Sequence, residues 1–152
     1  MNSKILHNLI WIPVFLIGLL TIFLGLGWLL HPEPWILDRL PNEILLKISF
    51  EELFAANINA HLPDYLRVIY RFFGWWVVSI GLLVVIYVYV TRMGTHIARN
   101  AILIAIFIVL SGVYLLIFRF IPTTPFLYGI FSITALYLLS LWASVKLNKG
   151  KN

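Results

Sequence analysis

Four stretches of this chain carry no formal charge and are long enough to cross a bilayer: residues 9–30, 72–91, 101–118 and 126–145. A hydrocarbon core about 30 Å thick needs roughly 20 helical residues. The third run has eighteen residues between polar flanks, enough if the helix stands nearly upright. The chain is 62% hydrophobic and 11% charged, whereas a soluble domain carries about 25% charged residues. In 152 residues such an excess has no interior to hide in, because a small globule keeps too much surface. Lipid is the solvent that fits. The expected fold is all-α: one integral membrane domain over residues 1–152, a four-helix transmembrane bundle.

The first run could be mistaken for a signal peptide, since Lys4 precedes it. Its twenty-two residues exceed a hydrophobic region of about 7–15. His31-Pro32-Glu33-Pro34 after it offers no small-x-small cleavage pattern. It reads as a retained span, with Pro13 in the first turn, where a missing N–H costs little.

The net charge of +5 does not point to nucleic acid. The basic residues stand singly at the ends of apolar runs, and no basic stripe exists for a phosphate backbone to follow. They read as topology instead. One side takes Lys4, Arg92, Arg99, Lys146, Lys149 and Lys151; the other takes Arg39, Lys47, Arg67, Arg71 and Arg119. All six acids (Glu33, Asp38, Glu43, Glu51, Glu52 and Asp64) fall on the second side. The purely basic side suits an anionic cytoplasmic leaflet, so both termini are expected in the cytoplasm. Tryptophans and tyrosines near the span ends form the expected interfacial belt.

Residues 32–66 are the one sizeable segment outside the spans, and they contain no glycine. Pro41-Asn42-Glu43 followed by ILLKISF suggests a short helix or strand at the interface. Ser49 with Glu52 three residues later matches a capping box, so a helix over 50–58 is expected, with Leu53, Phe54 and Ile58 on its apolar side. The segment reads as a short helical extracytoplasmic cap between the first two spans. Two prolines, Pro122 and Pro125, stiffen the hairpin between the last two.

Candidates for chemistry are few. With no cysteine, disulfides, thiolate metal sites and thiol catalysis are excluded. The four histidines show no i, i+4 pair and no HExxH, and each reads as an interfacial polar residue. Ser79, Ser111, Ser132 and Ser140 lie within spans and can bond back to a carbonyl one turn earlier. No histidine or carboxylate lies inside a span to activate them. No catalytic residue and no metal ligand is expected, and no cofactor, although a bound lipid or quinone is compatible. Arg67 and Arg71 share a face of the second span, and Arg119 ends the third. Together with Trp75 they are the candidate ligand-binding residues, a cationic pocket under the cap for an anionic or quinone-like headgroup. The plainer reading has the arginines snorkelling to the interface and pairing with the cap acids. Gly74 and Gly81, two turns apart, and Gly112 are read as helix-packing positions.

RFFGWW at 71–76, with Gly81 beyond it, and GVYLLIFRF at 112–120 resemble the DoxX-like group of small four-helix membrane proteins, especially its uncharacterised bacterial members. An arginine-x-x-glycine opens the second span there and a glycine with an arginine seven residues on closes the third. Those positions here are Arg71, Gly74, Gly112 and Arg119. The resemblance covers about residues 67–142. It implies a bacterial inner-membrane protein related to a subunit associated with quinone-linked sulfur oxidation. The acidic segment before the second span is longer than the group implies.

Two functions follow as expectations. The first is a non-catalytic accessory or structural subunit, surrounded by membrane lipid and packed against a larger membrane complex or its own copies. The second is a lipid- or quinone-binding protein, part of a redox enzyme's membrane subunit, using Arg67, Arg71 and Arg119.

Overall fold

In the computed structural model, which describes residues 2–149, every regular element is helical. The long helices are α1 (Ser3–Leu30), α4 (Leu62–Thr91), α5 (His96–Phe120) and α6 (Phe126–Lys149). All four are long and apolar enough to cross a membrane. Between the first two lies a connector with two short helices, α2 (Arg39–Leu46) and α3 (Phe50–Ala55), and 3-10 turns at Pro34–Asp38 and Asn57–Asn59.

Local chemistry sets the helix ends. The Asn2 side chain accepts from Lys4 N at 3.0 Å and caps α1. Thr95 accepts from Ala98 N at 3.1 Å and caps α5, and Ser49 accepts from Glu52 N at 3.2 Å and caps α3. Each cap satisfies one of the N–H groups that a helix start leaves without a partner. α3 is shorter than expected and breaks at Ala56; Ile58 is 94% exposed and Phe50, not Ile58, is buried. Two turns use left-handed backbone without glycine: Lys47 (φ 59°) ends α2, and Arg92 and Met93 (φ 48° and 50°) reverse the chain between α4 and α5.

α1 begins six residues before the apolar run, so Pro13 lies in its interior and not in its first turn. A proline there removes the N–H that the carbonyl four residues earlier would accept. Membrane helices tolerate this when neighbours re-satisfy the freed backbone. Ser140 of α6 donates to the carbonyl of Ile10 at 2.7 Å, a fully buried bond next to, and not on, the Leu9 carbonyl that Pro13 leaves free. Ser140 therefore bridges two helices and does not bond back along its own, as Ser79 and Ser132 do.

α1 is the central helix, packed on α4 along one side and on α6 along the other, with α5 against α6. The α1–α4 seam is made of glycine. Gly18 and Gly25 on α1 meet Gly81 and Gly74 on the antiparallel α4. A Cβ on Gly25 would lie 2.7 Å from both Gly74 O and Val78 N, and one on Gly81 would lie 2.8 Å from Gly18 O and Ile22 N. Backbone touches backbone, which is how helices associate in lipid, where burying apolar surface gains nothing over the acyl chains. Gly112 differs. A Cβ there meets nothing within 4 Å, so among the described residues no neighbour fills the packing role expected of it.

Candidate functional site

α4 has thirty residues, about 45 Å at 1.5 Å per residue, longer than a hydrocarbon core. Its first turns therefore extend to the connector, and they carry polar side chains one turn apart, Arg67 and Tyr70. The Tyr70 hydroxyl donates to Asp38 Oδ1 at 2.9 Å, and Asn42 Nδ2 donates to the same oxygen at 2.8 Å and to Tyr70 Oη at 2.7 Å. The triangle closes on itself and is half-buried, so each bond is made at reduced dielectric and each partner is costly to remove. Burial raises the Asp38 carboxyl above its ordinary value, against the opposing effect of the hydrogen bonds from Tyr70 and Asn42.

Arg67 forms the second tie. Its Nε donates to the carbonyl of Pro32 at 3.0 Å, one terminal nitrogen pairs with Asp64 at 2.7 Å, and its guanidinium lies 6.0 Å from the Trp35 ring centroid. Within the connector, Arg39 bridges Glu43 at 2.8 Å and Glu51 at 2.6 Å, and Glu43 also accepts from Phe50 N at 3.0 Å. Trp35, Phe50 and Phe54 stack beneath, with centroids 5.4–6.4 Å apart. The connector is thus a small folded unit fastened to α4.

The expected ligand residues are not brought together. Arg67 is engaged in holding the connector. Arg71 and Arg119 are exposed, and among the described residues neither has a hydrogen bond or ion pair; Arg119 lies 5.7 Å from the Phe120 ring centroid. Trp75 is 56% exposed on α4. The cleft at this end, about 400 Å³, lies between the connector and the α5–α6 hairpin, with Leu37, Arg39, Glu43, Thr123 and Pro125 in its walls. None of the four expected residues lines it. The acids that were to pair with the arginines do so in another pattern, Glu43 and Glu51 with Arg39 and Asp64 with Arg67.

No family model, curated protein or solved structure matches this chain.

Sequence reasoning missed the Asp38–Asn42–Tyr70 triangle. Asp38 and Asn42 stand i, i+4, a visible helical pairing, but their partner is 28 residues beyond Asn42 and nothing local marks it. The connector also has an inverted surface. On α2 the polar side chains Arg39, Asn42 and Glu43 are consumed by the internal bonds above. Leu40 (60% exposed), Ile44 and Leu45 point outward. A helix that met only water would show the opposite arrangement.

Proposed function

We propose that the protein is a non-catalytic accessory subunit of a larger membrane assembly, with the connector on the outer side of a bacterial inner membrane and both termini in the cytoplasm. The observation that carries this reading is the inverted α2. Its polar side chains are bonded within the connector and to α4, Asn42 and Glu43 half-buried and Arg39 exposed, while Leu40, Ile44 and Leu45 stay exposed beyond the spans. A folded unit fastened this firmly, with its leucines outward, suits a partner that covers them. The long helices add no competing chemistry: the side chains buried at the centre of the bundle are apolar apart from serine and tyrosine, with no base or acid beside them to activate a nucleophile.

Purification of the tagged protein from its native membrane in gentle detergent, with mass spectrometry of what accompanies it, tests the reading. A stoichiometric larger complex that is lost on Leu45→Glu supports it. A lone protein or homo-oligomer carrying a lipid or quinone overturns it. That result favours the second reading, in which Arg71 and Arg119, both without partners among the described residues, hold an anionic or quinone-like headgroup. The DoxX-like resemblance, with its quinone-linked subunit, agrees with either. Arg71→Ala separates them: an accessory subunit loses assembly, whereas a headgroup site loses its ligand while the bundle stays folded.

A further inference from the structure

At the end of the bundle opposite the connector, one charged side chain is buried with no counter-charge among the described residues. Arg99, in the first turn of α5, is 2% exposed. One terminal nitrogen donates to Asn148 Oδ1 at 2.7 Å. Its Nε has no partner among the described residues and no contact with solvent. Burying a guanidinium with no anion beside it is disfavoured. Such groups inside membrane proteins mark function.

No carboxylate side chain of this chain can supply the anion. All six lie between Glu33 and Asp64, in the connector and the first turn of α4. From Asp64 to Thr91 there are twenty-seven helical steps, on the order of 40 Å at 1.5 Å each. The charged side chains described at the Arg99 end are Lys4, Arg92, Arg99, Lys146 and Lys149, all cationic. The C-terminus of α6, which Arg99 reaches through Asn148, offers only about half a negative charge as a helix dipole. Among the described residues no group at this end carries the compensating negative charge, which leaves room for an anion from another molecule.

Beside this arginine runs a groove of about 300 Å³ between α5 and α6. Asn148, the partner of Arg99, forms its polar end with Asn100, and Ile104, Phe107 and Val145 line the rest. A donor-rich end at the membrane edge leads into an apolar trough. We infer that this groove binds an anionic phospholipid, its phosphate at Asn100 and Asn148 with the charge of Arg99 behind Asn148, and one acyl chain lying between α5 and α6. The site is at the far end from Arg71 and Arg119 and is independent of the connector's role.

The probes are phosphatidylglycerol, phosphatidylcholine and inorganic phosphate, added to the delipidated full-length protein and followed by native mass spectrometry and thermal unfolding. Phosphatidylglycerol is expected to bind and to raise the unfolding temperature, with phosphatidylcholine and inorganic phosphate ineffective. Arg99→Gln should weaken the phosphatidylglycerol preference about fivefold, the worth of one cation at a lipid surface. If Arg99→Gln does not fold, Ile104→Trp fills the trough with the charge intact and should abolish retention of the lipid without removing Arg99. Equal stabilisation by inorganic phosphate overturns the lipid assignment in favour of a free anion. Equal binding of the two lipids overturns the role of Arg99, and undiminished binding by Ile104→Trp overturns the trough.

Discussion

The two sides of the bundle are assembled by different means. Along α1 and α4 four glycines bring backbone onto backbone, and three of them leave under 3 Å to a backbone atom for any added carbon. Along α5 and α6 the glycines Gly112 and Gly129 meet nothing within 4 Å. Polar side chains and ordinary apolar contact hold that side: Tyr114 donates to Thr134 at 2.8 Å, since the Thr134 hydroxyl spends its own hydrogen on Ile130 O. One seam is closed to change; the other keeps a groove and open faces. The same residue type is therefore structural on one side and, among the described residues, idle on the other.

The sharpest way to break that contrast is to add one methyl group to each kind of glycine. Gly25→Ala places Cβ 2.7 Å from two backbone atoms of α4, so the helices must separate. Overpacking of this kind costs about 1–3 kcal/mol, and the rigid backbone puts this site toward the upper end. Gly18→Ala should cost less, because its nearest neighbour at 2.8 Å is the movable Val85 side chain. Reversible unfolding in detergent ranks them. Equal losses at the two sites would mean the seam is not the rigid element described.

Next in size are the polar ties. Ser140→Ala removes the buried bond to Ile10 O, three residues before Pro13, and is expected to cost about 0.6 kcal/mol and at most about 1.7, the mean and maximum for interhelical hydrogen bonds in membranes. Tyr70→Phe leaves Asp38 and Asn42 with each other only, and should release the connector while the bundle holds. Hydrogen exchange reads this directly: amides of residues 34–55 lose protection and those of α1 do not. Loss of protection throughout would make the connector part of the bundle's own cooperative unit.

Much of this was legible in the sequence and part was not, for a physical reason. Charge-free length marks a span, and a Ser-x-x-Glu pair marks a cap, because both effects are local. The α1–α4 seam was half visible: Gly74 and Gly81 were read as a pair, but their counterparts Gly18 and Gly25 sit in a run so apolar that small residues do not stand out. The ion pairs were assigned by side of the membrane, which fixes who is near and not who is bonded. From the sequence Arg39 reads only as topology, yet it organises the connector. Arg99 was counted among the cytoplasmic charges. Its burial depends on α6, forty-nine residues away at Asn148, and no local pattern carries that.

A smaller effect follows from Asp38. Burial raises its carboxyl above the ordinary range in the folded protein, so the native state holds this proton more tightly than the unfolded chain does. Its contribution to stability is then greatest in acid and declines as pH rises through the folded value. Asp38→Asn keeps an oxygen for Tyr70 and cannot ionise. It should flatten that slope in connector protection, corrected for intrinsic exchange, and cost little at neutral pH. A variant with an unchanged slope would move the titration to another group.

Gly112→Ala carries the smallest expected effect and the most discriminating one. With nothing within 4 Å, the added methyl meets no neighbour, and replacing a helical glycine by alanine is worth up to about 1 kcal/mol in favour of the helix. The isolated protein should be unchanged or slightly more stable, the opposite sign to Gly25→Ala. In the native membrane the two possibilities separate. If a partner helix lies against this face of α5, the methyl group stands in its contact, and the complex recovered with the tagged protein falls while the bundle's own unfolding does not. If the complex is recovered in full, α5 faces lipid at Gly112, and the partner surface is confined to the connector.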